Sequence, residues 1–287
     1  MGIDAQILKF LCYAHKHSHF KKTITIGRQN LNITEGSLKR TIPTNMQYKK
    51  EIYAESLLKD YFHSTIVNSI DKSNYEKATI IHDMNMPIPD NVKEKYDTVI
   101  DSGSLEHIYD IAQALENVSH LCKPGGQIIH ILPTNNLCGH GFYQISPELF
   151  FSLYSSKNGY KDTEVFLAKV SQSNYSFYKV IKPENGKRIT LYSKDEINVY
   201  VRTVRKTGKF FHNDIQQSDY VHLWNKENKG TVSSWPINFI YKHYLLLNLT
   251  RKIYNSPFYR YKITRKNKLS RYNPNLIACD SYLFNYS

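Results

Sequence analysis

Three aspartates and a small group of histidines are the residues of this chain whose types and spacing could do chemistry. Asp71, Asp83 and Asp101 follow the apolar runs 65–70, 78–81 and 96–100. A carboxylate at the end of a strand can accept hydrogen bonds from ribose hydroxyls, an adenine amino group or a ligand ammonium. A single Asp there is as often a turn former or helix cap, so the weight rests on the set of three. His140 lies between Gly139 and Gly141 in a polar loop, and His107 follows Glu106. Both are candidate general bases, with Tyr143 and Glu148 as orienters. His140 is the first choice; its plain alternative is a histidine packed in a loop, and that of His107 is a helix-start residue. His130 sits inside an apolar run and is expected in the core. His82 should face away from Asp83, because neighbouring side chains alternate along a strand. No metal-ligand set is recognisable. His15, His17 and His19 alternate, but nothing nearby would orient the rings. No Walker-type loop, GxSxG elbow or paired-carboxylate pattern is present.

The elements that must position these residues can be read from periodicity. Residues 21–26, KKTITI, form a first strand that stops at Gly27, where a glycine lets the backbone approach a ligand closely. Arg28 and Gln29 follow in the turn. Residues 2–19 and 50–62 read as helices, and 31–48 as a loop or broken helix. Leu105, Ile108, Ala112, Leu115, Val118 and Cys122 recur every three or four residues, which predicts one helix with one buried face. Pro124-Gly125-Gly126 stops it. The continuous apolar run 128–132 suits a strand covered on both faces. A short helix follows at 147–154, capped by Ser146, and further strands lie at 163–170 and 197–204. Strand and helix alternate, with two strands close together late in the chain. This predicts a three-layer α/β sandwich, with ligands at the carboxyl ends of the strands. The loops 101–107 and 133–144 both lie at that end.

Residues 20–206 resemble the S-adenosylmethionine-dependent methyltransferases with a Rossmann-like seven-stranded sheet. The segments that carry the resemblance are TITIGRQ, SIDKSNYEKATIIHDMN, YDTVIDSGSLEHI, LCKPGGQIIHILP and NNLCGHGFYQISPELF. The resemblance implies S-adenosylmethionine as cofactor. It places Gly27 against the cofactor, Asp71 on the ribose, and Asp83 with the backbone of Met84 at the adenine. Asp101, Ser102 and Gly103 would flank the methionine part. The family's first motif usually carries two or three glycines. Here only Gly27 remains, and Arg28, with Gln29 beside it, is expected to meet the cofactor carboxylate by a bidentate contact. The loop 135–144 would then face the methyl acceptor.

Composition bounds the rest. Of 287 residues, 41% are hydrophobic, enough for a sizeable core, and no apolar run is long enough to span a membrane. The N-terminus has too short an apolar run and no small-residue cleavage site, so a signal peptide is not expected there. Four widely spaced cysteines suit reduced thiols in the cytoplasm. The formal charge of +13 is uneven: ten Lys and Arg, from Lys229 to Arg271, lie in an interval without any acid. A boundary near 207 is expected, dividing a methyltransferase domain (1–206) from a basic, aromatic C-terminal extension (207–287). The 229–271 stretch could bind nucleic acid or touch an anionic membrane surface; packing over the acceptor site is preferred to either. The leading expectation is a methyltransferase acting on a small-molecule or glycan acceptor, most simply at oxygen. The alternatives are RNA or nucleotide methylation through the tail, and a catalytically inactive methyltransferase-like subunit.

Overall fold

The computed structural model describes residues 2–42, 51–171, 176–207, 215–227 and 276–279. The strands in chain order are β1 (Gly2–Ile3), β2 (Lys22–Ile26), β3 (Asn30–Leu31), β4 (Ile66–Asp71), β5 (Ile80–Ile81), β6 (Tyr96–Ser102), β7 (Cys122–Asn135), β8 (Tyr160–Lys169), β9 (Phe177–Val180), β10 (Ile197–Arg205) and β11 (Leu276–Ala278). The helices are α1 (Ala5–His17), α2 (Glu35–Thr41), α3 (Ile111–Leu121), α4 (Pro147–Leu153) and α5 (Ser218–Glu227).

Nine strands form one sheet in the order β11-β9-β8-β10-β7-β6-β2-β4-β5. From β5 to β7 the strands pair in parallel. β10 is inserted antiparallel between β7 and β8. The chain starts at β2 in the middle and winds outward in both directions, so the strand order reverses between β2 and β6. In such sheets the ligand crevice opens at that reversal, beyond the strand carboxyl ends. The seven strands from β5 to β8 have the order of the Rossmann-like methyltransferases. β9 and β11 extend the edge.

Alternating side chains give each face its own core. Ile128, Leu132, Val99 and Val199 pack with Leu115 and Val118 of α3 on one side. Ile129, Ile131, Ile100 and Tyr200 pack with Leu8, Phe10 and Leu11 of α1 on the other. Burying a large apolar side chain contributes about 1.5–3 kcal/mol, so both helices are held chiefly by these contacts.

Several local expectations change. The helix expected from 105 onward is broken: a 3-10 turn (Leu105–His107) precedes α3, which starts only at Ile111. Asp110 caps α3, accepting from the Gln113 backbone N–H at 3.0 Å. Ala112 is therefore exposed and Cys122 belongs to β7. Asn117 takes a place on the buried face instead. The 31–48 segment contains α2, capped by Thr34. The segment before β4 ends in a π-helical turn (Leu57–Tyr61). His15 and His17 lie on α1 rather than on an extended chain; His15 is buried and packs edge-on to His19, with ring centroids 5.2 Å apart. Past residue 207, β11 pairs with β9, and Ser218 and Asp219 of α5 meet Glu148 and Arg188. The basic 229–271 stretch lies outside the described residues.

Candidate active site

Two cavities open at the carboxyl ends of the parallel strands, one on each side of the segment 102–107. The first, of about 360 Å³, is lined by Gly27, Asp71, Asp83, Met84, His107 and Phe142, among others. The second, of about 290 Å³, is lined by Ser102, Gly103, Glu106, Leu137, His140 and Asn198, among others.

Each side of the first cavity follows from local chemistry. Gly27 adopts φ 69°, a left-handed conformation open to glycine, and its N–H donates to Ile70 O at 2.8 Å. This leaves bare backbone facing the cavity at the end of β2. Asp71 accepts from the Ser73 backbone N–H at 3.1 Å. Asp83 accepts from the backbone N–H and side-chain amide of Asn85 at 3.0 and 2.7 Å and pairs with Lys72 at 2.9 Å. The Asn85 hydrogen bonds, with Lys72 adding, hold its pKa down at about 2. The Met84 segment is positioned from below by Asn117 of α3. Its amide donates to Met84 O at 3.0 Å and Met86 O at 2.8 Å, and its oxygen accepts from Ile88 N at 3.1 Å.

The partition between the cavities is anchored in the sheet. Asp101 is fully buried. One carboxylate oxygen accepts from the backbone N–H groups of Ser104 and Leu105 at 3.2 and 3.3 Å; the other meets Nδ1 of His130 at 2.8 Å. Ser104 Oγ donates to Ile26 O at 2.5 Å. Asp101 thus serves the partition and lines neither cavity. His130 is in the core, as expected.

Glu106 is the site residue that sequence reasoning passed over. The 3-10 turn aims it inward, and its side chain is fully buried. Burial, with the charge of Asp101 adding, pushes its pKa up to about 8. His140 Nε2 stands 3.2 Å and His107 Nε2 3.8 Å from Glu106 Oε1. Both are within ion-pair distance, yet neither carboxylate oxygen has a partner in line for a hydrogen bond. The His107 and His140 rings meet edge to face, with centroids 5.1 Å apart. Burial first, and His140 second, lower the pKa of His107. The loop that carries His140 is fastened to Glu106: Phe142 N donates to Glu106 O at 2.7 Å. Gly141 has φ 74°, and a Cβ there would lie 2.7 Å from Glu106 O. Only glycine permits this approach. No metal-ligand set is visible in the sequence, because Glu106 and His107 lie more than thirty positions from His140. Folding corrects this, bringing one ligand atom from each to within 4.8 Å of the others.

The other sequence candidates divide. Ser102 and Gly103, expected against the cofactor, open into the second cavity. Arg28 is turned aside: its Nε donates to Glu55 at 2.6 Å, and its guanidinium stacks over Tyr53. Gln29 is buried and donates to Ile26 O at 2.8 Å. Neither lines the first cavity: the Gln29 amide turns back on its own turn, and Arg28 is held by Glu55 and by the Glu76 carbonyl at 2.8 Å. Tyr143 ties two loops together through its hydroxyl, which donates to Tyr109 O at 2.6 Å. Glu148 faces α5, where its carboxylate accepts from Ser218 N at 3.0 Å, and it lines a separate surface cavity. It cannot orient His140 from there. His82 turns outward to Met86 O at 3.0 Å.

A doubly wound sheet with an acid-lined crevice at its reversal is the arrangement in which open α/β sheets bind ligands. Residues 53–130 match the family described as a methyltransferase domain. This segment of the chain is therefore of methyltransferase-domain type, a class whose methyl donor is S-adenosylmethionine. The match covers β4, β5, β6 and most of β7 and begins after the one-glycine turn. No curated protein matches the sequence. Among solved structures, a Bacillus halodurans methyltransferase is 8% identical, covering 69% of this chain and 99% of its own, with a TM-score of 0.39. N-methyltransferase NodS from Bradyrhizobium japonicum is 12% identical, covering 69% and 93%, with a TM-score of 0.36. A Burkholderia thailandensis 1,6-didemethyltoxoflavin-N1-methyltransferase, bound to that compound and S-adenosylhomocysteine, is 13% identical, covering 71% and 78%, with a TM-score of 0.38. The assignment rests on the 53–130 match and not on these distant likenesses.

The residues of the first cavity fit the cofactor. Asp71 and Asp83 offer acceptor oxygens to hydroxyl and amino groups, and the buried Met84 offers an apolar surface. Among the described residues, no helix is long and apolar enough to cross a membrane.

Proposed function

We propose that the chain transfers the methyl group of S-adenosylmethionine to an oxygen of a small-molecule or glycan acceptor. The cofactor sits in the 360 Å³ cavity, with Asp71 at the ribose and Asp83 at the adenine, and the acceptor in the 290 Å³ cavity. One observation carries this reading: two cavities share the 102–107 partition, one walled by strand-end carboxylates and the other by the Glu106–His140 pair. Methyl transfer from a sulfonium is an in-line displacement, and most of its catalysis is alignment. The acceptor oxygen forms a bond to the methyl carbon while the carbon–sulfur pair returns to sulfur. The hydroxyl proton passes to His140, whose Nε2 stands 3.2 Å from the Glu106 carboxylate. His140 is half exposed, so it can reach an acceptor and release the proton to solvent. Four free cysteines suit a reducing, cytoplasmic setting.

The test is a methyl-transfer assay with labelled cofactor against panels of hydroxylated sugars, phenols, amines and RNA. Oxygen methylation of a small acceptor supports the reading. Transfer to RNA or to nitrogen replaces it. Absence of S-adenosylhomocysteine binding by calorimetry, in a folded chain, removes it.

A further inference from the structure

We propose that Glu106, His107 and His140 form a binding site for a divalent transition-metal cation of the zinc class, set in the partition between the two cavities. The site goes beyond methyl transfer, and its existence does not depend on which acceptor is used.

The geometry comes first. One ligand atom from each residue lies within 4.8 Å of the other two. The carboxylate oxygen is 3.2 Å from one imidazole nitrogen and 3.8 Å from the other. Two ligands bound to one zinc at about 2.0–2.1 Å and a tetrahedral angle stand roughly 3.4 Å apart. The carboxylate–imidazole separations are therefore near those of a filled site. The remaining closure falls to His107 and His140, whose half-exposed side chains can turn.

The second observation is Glu106 itself. It is fully buried, and neither of its oxygens has a hydrogen-bond partner in line. A buried polar group without a partner is costly, and this one is aimed at two imidazoles. A cation between them would satisfy it. The two imidazole rings already meet edge to face beside it, with centroids 5.1 Å apart.

The supports are rigid. Glu106 and His107 share one 3-10 turn. The His140 loop is locked to that turn by the Phe142–Glu106 backbone bond and by the contact at Gly141. The donor set selects the ion. Two imidazoles and one carboxylate suit zinc and its transition-metal neighbours, whereas calcium and magnesium want oxygen donors. Three protein ligands also leave a coordination position, and Glu106 and His140 both line the 290 Å³ cavity. A bound cation takes up the same His140 Nε2, so His140 acts as a base only in the metal-free chain.

The test uses the full chain, stripped of metal with a chelator and then titrated with zinc against a chromophoric competitor. Cobalt in place of zinc provides a visible absorption signature. The expected result is one tightly bound ion per chain. Glu106→Gln and His140→Ala should each weaken binding at least tenfold and abolish the cobalt spectrum. Circular dichroism checks that each variant is folded. If Glu106→Gln is not, His140→Ala decides, because that side chain is half exposed. No stoichiometric binding, or binding that the folded variants leave unchanged, overturns the site. Titration of the same preparation with S-adenosylhomocysteine reads the methyltransferase assignment separately.

Discussion

The carboxylate of Asp101 and the imidazole of His130 meet at 2.8 Å, both fully buried, on adjacent strands β6 and β7. His130 Nε2 in turn meets the Tyr154 hydroxyl at 2.6 Å. Burial holds that phenol well above its usual pKa, so it stays protonated and donates. His130 then presents Nδ1–H to Asp101, and the carboxylate's other oxygen fixes the turn between the cavities. Removing the Asp101 carboxylate orphans the Ser104 and Leu105 N–H groups and His130 Nδ1–H, and an unsatisfied buried group costs about 1–3 kcal/mol. Asp101→Ala should therefore lower stability by that order in chemical denaturation. A variant that keeps wild-type stability but loses only cofactor affinity would show that Asp101 contacts ligand instead.

Asp83 and Asp71 should behave in the opposite way. Neither is in the core, so Asp83→Ala and Asp71→Ala should leave the unfolding midpoint nearly unchanged. Each should weaken S-adenosylhomocysteine. A hydrogen bond to a charged group is worth about 1.5–3 kcal/mol, roughly a tenfold to hundredfold loss in affinity by calorimetry. Because the Asp83 pKa is held at about 2, its carboxylate is ionised throughout the working range. Its contribution to binding should not vary between pH 5 and pH 8.

Asn117 joins the two effects. Replacing it by Leu leaves the Met84 and Met86 carbonyls and the Ile88 N–H without their partner. An orphaned buried group costs about 1–3 kcal/mol, so stability should fall by at least that much. Cofactor affinity should fall as well, because the Met84 segment is no longer held. Restored binding at lower temperature would mark the loss as one of order rather than of contact.

How much of this was legible in the sequence depends on which force places each residue. The strands β2, β4, β6, β7, β8 and β10 were legible, since β-branched and apolar runs follow from burial on both faces. Asp71 and Asp83 were legible for the same reason: a strand end locates whatever follows it. Arg28 was misread because its fate depends on Glu55, an acid from a separate segment that offers a nearer carboxylate than any ligand. Glu148 was misread because α5 approaches it from far along the chain. Glu106 was hidden by the assumption of one continuous helix from 105. A helix would fix its direction by a 3.6-residue period, whereas the 3-10 turn and the break before Asp110 point it inward. The two-residue strands β1 and β3 are too short to leave any period.

His140 is the residue whose loss should separate catalysis from binding. General-base catalysis contributes typically 10²–10⁴-fold, so His140→Ala should reduce kcat by about a hundredfold or more. S-adenosylhomocysteine affinity should hold, because His140 lines only the second cavity. An equal loss of cofactor affinity would move its role to the other side of the partition.

His15 gives the pH prediction. Burial, with His19 and His63 adding, lowers its pKa to about 4, and its Nδ1 has no hydrogen-bond partner. In the unfolded chain the group titrates near 6.5. Between these values the unfolded state binds more protons, so stability rises with pH there. The contribution is complete above about 6.5 and is lost as pH falls toward 4. His15→Phe, packed against Phe20 and Phe62, should narrow the difference in melting temperature between pH 5 and pH 7.5. An unchanged difference would assign the acid limb to other groups.

Gly141 carries a consequence for how this protein can diversify. The loop from Asn136 to Phe142 supplies Leu137 and His140 to one cavity and Phe142 to the other. It is pinned at the one residue where no side chain fits. Positions around that pin can mutate and reshape what is accepted, while the donor pocket keeps its roof in place. Substrate range can therefore drift among descendants of this sequence without the ability to load the methyl donor being lost, provided the glycine stays.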